Sequence, residues 1–543
     1  MTPGRPLPLL LGLVLVGCGP SGSPPLLPRT SASDLLLLGG RVLDGTGADW
    51  VWQDLALTGD RISFAGRAGD ANVQARDTLD VAGLLLTPGF WDVHNHADLD
   101  RPHGRTGLPL IYQGITTVIQ GVDGGGANNL TEIFAGYLRD GVAVNVLRFV
   151  GHNAARTAVM GTDFGRVATA AEIDRMKGYV ERGMVEGAVG FSSGLAYNPG
   201  YYSTTDEVIE LNKVAGRYQG IYDTHDRDMG ATLNGFGYLN SVKEAIEIAE
   251  KAGTSLIFSH FSALGVTANA QMPEAISLVE AARRRGVNVM GGQHVYSASE
   301  SIIAGHVLPR WVAVGGDDSL RLRLKDPTLK KRFDDDVMAI LAIRGGPAKI
   351  LLSSAEPGIK NKSLADLARA WKLSVPDVVR RIVDQYGPRV HDVNLDIFAP
   401  ANTRALAQKD WMMTCLDGFT PESLSGAGHP RSYGGMTRKL RALAMDERVI
   451  TVPFAVRGMT SLAAQFYGIP DRGLLKPGFF ADIAVFKEDE IRDRATFENP
   501  YVYSEGTVHV LVNGQFVFRD GKPTGTLAGR PIRRGGRNAR DQR

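Results

Sequence analysis

The chain of 543 residues contains only two cysteines, Cys18 and Cys415. Cys18 belongs to an N-terminal segment that is typical of an export signal, where we expect it to be lipidated. Because Cys415 is then the only remaining thiol, we expect no intramolecular disulfide in the mature chain, even in an oxidising compartment.

The chain also has a small net charge and few long apolar runs. The 60 Lys and Arg residues nearly balance the 58 Asp and Glu residues, which leaves a formal charge of +2 and argues against a nucleic-acid partner. The apolar run from Leu9 to Val16 is too short to span a bilayer as a mature helix. With 43% hydrophobic residues, the chain can bury one large core and a second, smaller one.

The N-terminus is typical of an export signal. Arg5 precedes the apolar run, and the order Leu15-Val16-Gly17-Cys18 resembles the bacterial lipobox. We therefore expect a lipoprotein signal peptide over residues 1–17, lipidation of Cys18, and a flexible tether over residues 18–33, which are rich in Pro, Ser and Gly. The alternative is an ordinary cleaved signal peptide. The expected location is the bacterial cell envelope on the periplasmic side, and Gly19 is compatible with outer-membrane sorting.

Short apolar runs separated by turn residues occur at both ends of the remaining chain. They occupy residues 34–83 and 458–530, and the Asn513-Gly514 pair is a strong hairpin signal. Because neither set can bury a face alone, we expect the two chain ends to form one small β-sandwich domain.

The middle of the chain, residues 84–457, alternates helix-like and strand-like segments. This order predicts a parallel sheet, and the number of units fits an α/β fold with a closed (β/α)8 TIM barrel. Residues of about 298–400 break the rhythm and are expected to form an insertion over the barrel mouth. Residues 531–543 form a basic tail.

Histidines recur where the predicted barrel strands end. His94 and His96 follow the first strand, whereas His225 and His260 end two later strands. The carboxyl ends of barrel strands meet at one mouth, so a cluster of four histidines predicts a site for a divalent metal such as zinc. Each histidine alone is more often structural.

Two carboxylates are candidates for the same site. Asp417 ends a short late strand, where a carboxylate can take a proton from an activated water and pass it to a leaving group. Asp123, after the second strand, is the candidate fifth ligand, because a carboxylate can bridge two cations. The structural alternatives are a turn or cap aspartate before Gly418, and a turn residue in the glycine-rich loop that follows Asp123.

With these residues in view, the chain from about Asp34 to Arg533 resembles the amidohydrolase superfamily, specifically its N-acyl-D-amino-acid deacylase (D-aminoacylase) branch. The motifs that carry the resemblance are Pro88-Gly89-Phe90-Trp91-Asp92-Val93-His94-Asn95-His96-Ala97-Asp98, Gly114-Ile115-Thr116-Thr117-Val118, Val150-Gly151-His152-Asn153, Gly187-Ala188-Val189-Gly190-Phe191-Ser192-Ser193-Gly194-Leu195, Thr224-His225-Asp226-Arg227, Ser259-His260, His429-Pro430-Arg431 and Arg472-Gly473-Leu474-Leu475-Lys476-Pro477-Gly478-Phe479-Phe480-Ala481-Asp482.

The resemblance implies roles for individual residues. It implies zinc ligation by the four histidines and a general base and acid in Asp417, and Asp123 remains the candidate further ligand of a site for one or two zinc ions. Arg431 matches the position that pairs with the substrate carboxylate, a role that suits a planar guanidinium. Tyr296 is implied to assist that contact, and His152 is placed among the substrate-binding residues.

The chain also departs from the family pattern. Asp123 stands where a cysteine ligand is usual, and Phe261-Ser262 replaces the common Leu-Lys after His260, which removes a cationic substrate contact. The usual Tyr-Pro-Tyr becomes His294-Val295-Tyr296. These changes lie around the substrate and leave the hydrolytic residues in place.

The expected function is therefore zinc-dependent hydrolysis of a linear amide, an N-acyl-D-amino acid in the first place, by metal-activated hydroxide with an aspartate proton shuttle. The alternatives within enzymes are a cyclic amidase, similar to dihydroorotase or hydantoinase, and an isoaspartyl or D-aminoacyl peptidase. A different class is a catalytically silent lipoprotein that binds a ligand. The expected partner is a small-molecule amide, with membrane contact only through Cys18, and the oligomeric state carries no sequence signal.

Overall fold

The structure is a computed structural model that describes Met1 and residues 32–534, apart from 232, 234, 355, 421–423 and 425–427. The expected signal peptide from residue 2 onward, Cys18, the tether up to residue 31, and the basic tail from residue 535 lie outside the described residues. Within the described part of the chain, no helix combines the length and apolar character needed to cross a membrane.

Eight parallel strands form the barrel that the helix and strand alternation predicts. In chain order they are Phe90–Asp92, Ile115–Gln120, Asn145–Arg148 continued by Val150–Gly151, Gly190–Gly194, Ile221–His225, Ser255–Phe258, Val289–Gln293 and Met412–Thr414. The eighth strand returns to the first, where the Asp417 N–H donates to the His94 carbonyl at 2.9 Å and the Val93 N–H to the Thr414 carbonyl at 3.4 Å. The prediction of a closed (β/α)8 barrel is confirmed.

Helices surround the barrel and follow its strands. They are Leu108–Ile111, Leu130–Asp140, His152–Met160, Ala170–Val185, Thr205–Arg217, Tyr238–Ala252, Gly265–Arg284, Pro400–Ala407, Arg431–Arg438 with the π-helical Lys439–Asp446, Val452–Met459 and Ser461–Phe466. Their local sequence explains where they begin. Thr169, for example, caps Ala170–Val185 in a reciprocal capping box with Glu172. The helical part continues to Phe466, beyond the expected boundary at residue 457.

The inside of the barrel is filled by apolar side chains below the strand ends. Alternate strand residues such as Trp91, Ile119, Phe149 and Met413 are buried there, together with residues of Ser461–Phe466. Cys415 is a free thiol in the same cluster. The interior is therefore a packed core and not a pore, so ligands are confined to its mouth.

Strands from both chain ends share one hydrogen-bonded sheet of nine strands. They are Ser33–Val42, Val51–Thr58, Arg61–Gly66, Ala75–Asp80, Leu85–Pro88, Ile483–Phe486, Thr507–Val512, Gln515–Arg519 and Lys522–Pro523. Leu85–Pro88 joins the two sets, because it pairs with Ser33–Val42 on one side and with Ile483–Phe486 on the other. Asn513 and Gly514 have φ of 50° and 79°, as the predicted tight hairpin turn requires.

The insertion has its own small sheet and its own core. Its antiparallel strands are Ser299–Ile302, Ile350–Ser353 and His391–Asn394, and its helices are Ile303–His306, Asp317–Lys325, Lys330–Ile343, Leu364–Trp371 and Val375–Tyr386. The last two helices each begin after a capping serine, Ser363 and Ser374. Buried Val, Leu and Ile side chains connect them to the small sheet.

A buried polar network joins the sheet domain to the barrel. Arg472 pairs with Asp482, and its other terminal nitrogen donates to Asn513 Oδ1 at 2.7 Å. Asn513 in turn donates to Asn145 Oδ1, on the third barrel strand, at 2.9 Å. Arg472 and Asp482 expose 3% and 5% of their side chains, so each charge depends on the other.

Replacing Arg472 by Met should therefore destabilise the protein by about 3–5 kcal/mol at neutral pH, because the Asp482 charge would remain buried without its partner. Urea unfolding followed by circular dichroism measures the change. Arg519→Met is the matched control, since Arg519 is 44% exposed and pairs only loosely with Asp520. Equal unfolding free energies for the two variants would contradict the assigned role of the network.

Candidate metal centre and substrate cleft

His94 and His96 lie where the first strand leaves the barrel. Their Nε2 atoms are 3.1 Å apart, and the His94 side chain is fully buried. The backbone here is tied to the eighth strand, because Asp92 Oδ1 accepts the Leu416 N–H at 2.8 Å. Asp92 Oδ2 also accepts from the Asn95 side chain at 2.7 Å, which stabilises the turn between the two histidines.

Asp123 and Asp417 approach this histidine pair from the second and eighth strands. Asp123 Oδ1 lies 3.5 Å from His94 Nε2, and Asp123 Oδ2 lies 3.5 Å from His96 Nε2. Asp417 Oδ1 lies 3.5 Å from His94 Nε2 and 3.3 Å from His96 Nε2. Both aspartates have left-handed backbones, with φ of 54° and 53°. Aspartate tolerates this conformation better than most residues.

His225 and His260 complete the ring of imidazoles. The His260 ring centroid is 5.1 Å from that of His94 and 4.7 Å from that of His225. His225 Nδ1 lies 3.1 Å from the Asp226 carbonyl, a contact that orients the ring and leaves Nε2 as its ligand atom.

These residues form two overlapping sets that fit a divalent cation. His94, His96 and Asp123 form one set, and His94, His260 and Asp417 the other, with the ligand atoms of each set within 4.8 Å of one another. Asp123 Oδ1 is buried without a hydrogen-bond partner among the described residues. Imidazole nitrogens and carboxylate oxygens are the ligands that zinc takes in catalytic sites.

The electrostatics of the cluster favour a cation. Burial alone would raise the pKa of the Asp417 carboxyl, but the charge of Arg431 and the nearby histidines hold that pKa well below its usual range. Burial would lower the pKa of His94, yet Asp123 and Asp417 raise it well above the ordinary value. The two carboxylates thus concentrate negative charge at the barrel mouth.

Arg431 lies directly beside the proposed base. One terminal nitrogen is 2.6 Å from Asp417 Oδ2, and its Nε is 3.9 Å from the carboxylate of Glu300, which belongs to the insertion. The turn before Arg431 is held by His429, whose Nε2 donates to the Ala298 carbonyl at 2.8 Å and whose Nδ1 accepts the Arg431 N–H at 3.0 Å. Arg431 is buried yet lines the cleft, as a substrate contact requires.

Tyr296 lies near this turn but points elsewhere. Its hydroxyl is 3.4 Å from Asp493, its ring packs against His429, and the guanidinium of Arg438 lies 4.8 Å from the ring centroid. It lines a small cavity behind His260 and His294. The hydroxyl thus faces Asp493, and its contact with the substrate carboxylate stays a prediction.

The contact between His152 and substrate stays a prediction, and in the structure His152 contacts other residues of the protein. Its side chain is fully buried, and its Nε2 lies 2.8 Å from Glu207, which also pairs with Arg156. The residue begins helix His152–Met160 and joins it to helix Thr205–Arg217, away from the cleft lining. Although His152 follows a barrel strand, its side chain contacts the buried carboxylate of Glu207.

The cleft above the cluster holds about 530 Å3 of empty space. Its lining adds residues that the sequence analysis did not single out, namely Tyr197, Glu300, His306, Arg310 and Arg344. Tyr197 follows the fourth strand by three residues, so its strand-end position could have marked it. The other four residues belong to the insertion. Because the insertion does not follow the alternation of barrel strands and helices, no strand-end position marks them in the sequence.

Comparisons with known proteins agree with this geometry. An amidohydrolase family model matches residues 427–518. D-aminoacylase from Alcaligenes xylosoxydans xylosoxydans is 30% identical over 92% of this chain and 98% of its own. A D-aminoacylase structure described for its binuclear metal center superposes with a TM-score of 0.77 at 27% identity, covering 92% of this chain and 100% of that one.

A second solved structure comes from an enzyme with a related activity. N-acyl-D-glutamate deacylase from Bordetella bronchiseptica, complexed with zinc and a phosphonate inhibitor, also has a TM-score of 0.77, at 28% identity. The superposition covers 93% of this chain and 100% of that enzyme. The agreement extends over almost the whole length of both chains.

The role of Asp123 can be tested through metal affinity. Asp123→Asn should lower zinc affinity about tenfold or more, because a neutral amide is a weaker ligand than a carboxylate. Competition with a chromophoric chelator measures this without any substrate. Asp98→Asn is the matched control, since the Asp98 side chain is 55% exposed and only two residues from His96. Unchanged affinity in Asp123→Asn would remove Asp123 from the ligand set.

Proposed function

The chain belongs to the D-aminoacylase family of amidohydrolases, and from this membership and the site geometry we propose that it hydrolyses the linear amide of an N-acyl-D-amino acid with the help of zinc. One observation carries the proposal: the carboxylate of Asp417 lies within 3.5 Å of the histidine pair and within 2.6 Å of Arg431. The candidate proton-transfer group thus lies within contact distance of both the candidate metal ligands and the arginine that is suited to bind a carboxylate.

His94, His96, His225 and His260, with Asp123, would hold one or two zinc ions. The chemistry that zinc supplies in such a site is polarisation of a carbonyl oxygen and a lowered pKa of water. Asp417 is suited to receive the proton that the attacking water loses, because its depressed pKa keeps it ionised at neutral pH. The same carboxyl then delivers this proton to the departing amine nitrogen.

Arg431 is suited to orient the substrate. Its guanidinium faces Asp417 on one side and the cleft on the other, so a carboxylate bound to it would bring the adjoining amide nitrogen close to Asp417. This arrangement supports a linear acid over a cyclic amide of the hydantoin type, because a hydantoin ring has no free carboxylate for the guanidinium. The names of the relatives support the D series of amino acids.

A silent binding protein would explain less of the site. Metal or ligand binding has no need for a carboxylate placed between the histidines and an arginine, and such a buried arrangement is costly to maintain. Hydrolysis uses each of these groups. The enzyme is therefore the better-supported proposal.

The decisive experiment measures amine release from N-acetyl-D-amino acids, N-acetyl-L-amino acids, and cyclic amides of the hydantoin and dihydroorotate type. We expect turnover of the D series and a decrease of kcat by about 10²–10⁴-fold in Asp417→Asn, because an amide cannot accept the proton. Asp410→Asn, with a 73% exposed side chain just before the eighth strand, should keep full activity.

Three outcomes would contradict the proposal. Turnover of the cyclic amides alone would move the protein to the cyclic amidases. Full activity of Asp417→Asn would exclude Asp417 as the proton carrier, and zinc binding without turnover of any amide would favour the binding protein.

We also propose that the protein is exported and anchored to the cell envelope through lipid on Cys18, on the strength of the Leu15-Val16-Gly17-Cys18 sequence. In bacteria fed labelled fatty acid, the full-length chain should carry the label, and Cys18→Ser should lose it and leave the membrane fraction. Cys415→Ser is the matched control, because Cys415 is buried in the barrel and should not affect labelling. A parent chain without label would refute the anchor.

A further inference from the structure

A second cavity adjoins the substrate cleft. Its volume, including space open to solvent, is about 940 Å3, and it shares Gly305, His306, Arg310 and Arg344 with the cleft lining. We call this cavity the side groove. Because the same four residues line both cavities, the side groove lies directly beside the cleft.

The walls of the side groove are largely aromatic and aliphatic. Tyr201 and Tyr202 come from the short helix Gly200–Tyr202 behind the fourth barrel strand. Leu308, Trp311 and Ile340 come from the insertion. Such walls suit an apolar or aromatic ligand, because burying its surface is the main favourable contribution to binding.

Most of the charged groups of the groove have partners; Arg344 donates to Asn394 Oδ1 at 3.3 Å, while its Nε has no hydrogen-bond partner among the described residues. Asp336 accepts from the Trp311 indole at 2.8 Å, and the Arg332 guanidinium lies 4.3 Å from the centroid of the Trp311 ring. Arg310 donates to the carbonyls of Ala304 and Gly305, each at 2.9 Å. These contacts hold Trp311 and Arg310 in place. Because they already provide partners for these polar groups, the groove has less need of a charged ligand.

The position of the groove indicates which arm of a substrate it receives. Asp417 and Arg431 lie at the eighth strand and take the amine side, with its carboxylate. In an eight-stranded barrel the fourth strand lies opposite the eighth, and Tyr201 and Tyr202 follow the fourth strand. The acyl substituent, which leaves the carbonyl carbon on the side away from the amine, therefore points toward the side groove.

We propose that the side groove is an acyl-group subsite and that the preferred substrates are amino acids carrying a long aliphatic or an aromatic acyl group. The proposal rests on the deacylase function proposed above and specifies its substrate class. An acetyl group fills only the space at the metal centre, whereas an octanoyl or phenylacyl group would also bury surface against Trp311, Ile340 and the two tyrosines.

The test compares kcat/KM of the full zinc-loaded chain on one D-amino acid acylated with acetyl, butanoyl, octanoyl, phenylacetyl or glutaryl groups. We expect kcat/KM to rise at least tenfold from acetyl to octanoyl, mainly through a lower KM. Trp311→Ala should reduce this ratio at least fivefold while leaving acetyl turnover within twofold of the parent.

Trp371→Ala is the matched control. Trp371 also lies in the insertion and also carries an arginine, Arg381, at 4.3 Å from its ring, but it lines neither the cleft nor the side groove. It should leave the whole chain-length profile unchanged. A loss in Trp371→Ala equal to that in Trp311→Ala would assign the effect to the fold of the insertion and overturn the subsite.

Other outcomes would also overturn the proposal. Equal kcat/KM for acetyl and octanoyl substrates would leave the deacylase function standing and remove the acyl subsite. A preference for glutaryl over octanoyl would make the groove an anion subsite. If no N-acyl amino acid is hydrolysed, binding of octanoate is still measurable by indole fluorescence, and absence of a Trp311-dependent change would remove the subsite independently of catalysis.

Discussion

The seam where the eighth barrel strand meets the first is the constraint on which the site depends. The hydrogen bond from the Asp417 N–H to the His94 carbonyl sets the proposed base beside the histidine pair. Asp92 strengthens the same seam from below by accepting the Leu416 N–H. Residues more than 320 positions apart in the sequence are thereby held in one geometry, because the closed barrel allows the strand ends little freedom to separate.

The charges at this seam show how the molecule tolerates buried ionisable groups. Asp123 and Asp417 are placed by left-handed turns, and their negative charge is opposed by histidines and by Arg431. A divalent cation suits such a pair of carboxylates. Where the family pattern has a cysteine, this chain thus places a carboxylate that can contact both histidines of the first strand.

The insertion adds what the barrel alone does not contain. One of its strands brings Glu300 to Arg431, and the insertion also provides Leu308, Pro309, Trp311 and Ile340 to the lining of the side groove. The metal-ligand residues come from barrel strands, whereas the space around a substrate depends on residues 299–394, which form a separate hydrophobic core. Hydrolytic chemistry and substrate choice therefore rest on different parts of the fold, and one can vary without the other.

The amino-acid sequence was sufficient to predict the barrel, the association of the two chain ends in one domain, and the placement of four histidines and two carboxylates where strands end. These features follow from local signals, such as apolar strand runs, helix caps, the Asn513-Gly514 turn and polar residues placed where strands end. The folded chain was needed to show that Arg431 pairs with Asp417, that Tyr296 faces Asp493, and that His152 is buried against Glu207. Such pairings depend on side-chain directions and on neighbours far apart in the chain, which no local pattern encodes. For the same reason, the cleft and the side groove became visible only after the insertion had folded over the barrel mouth.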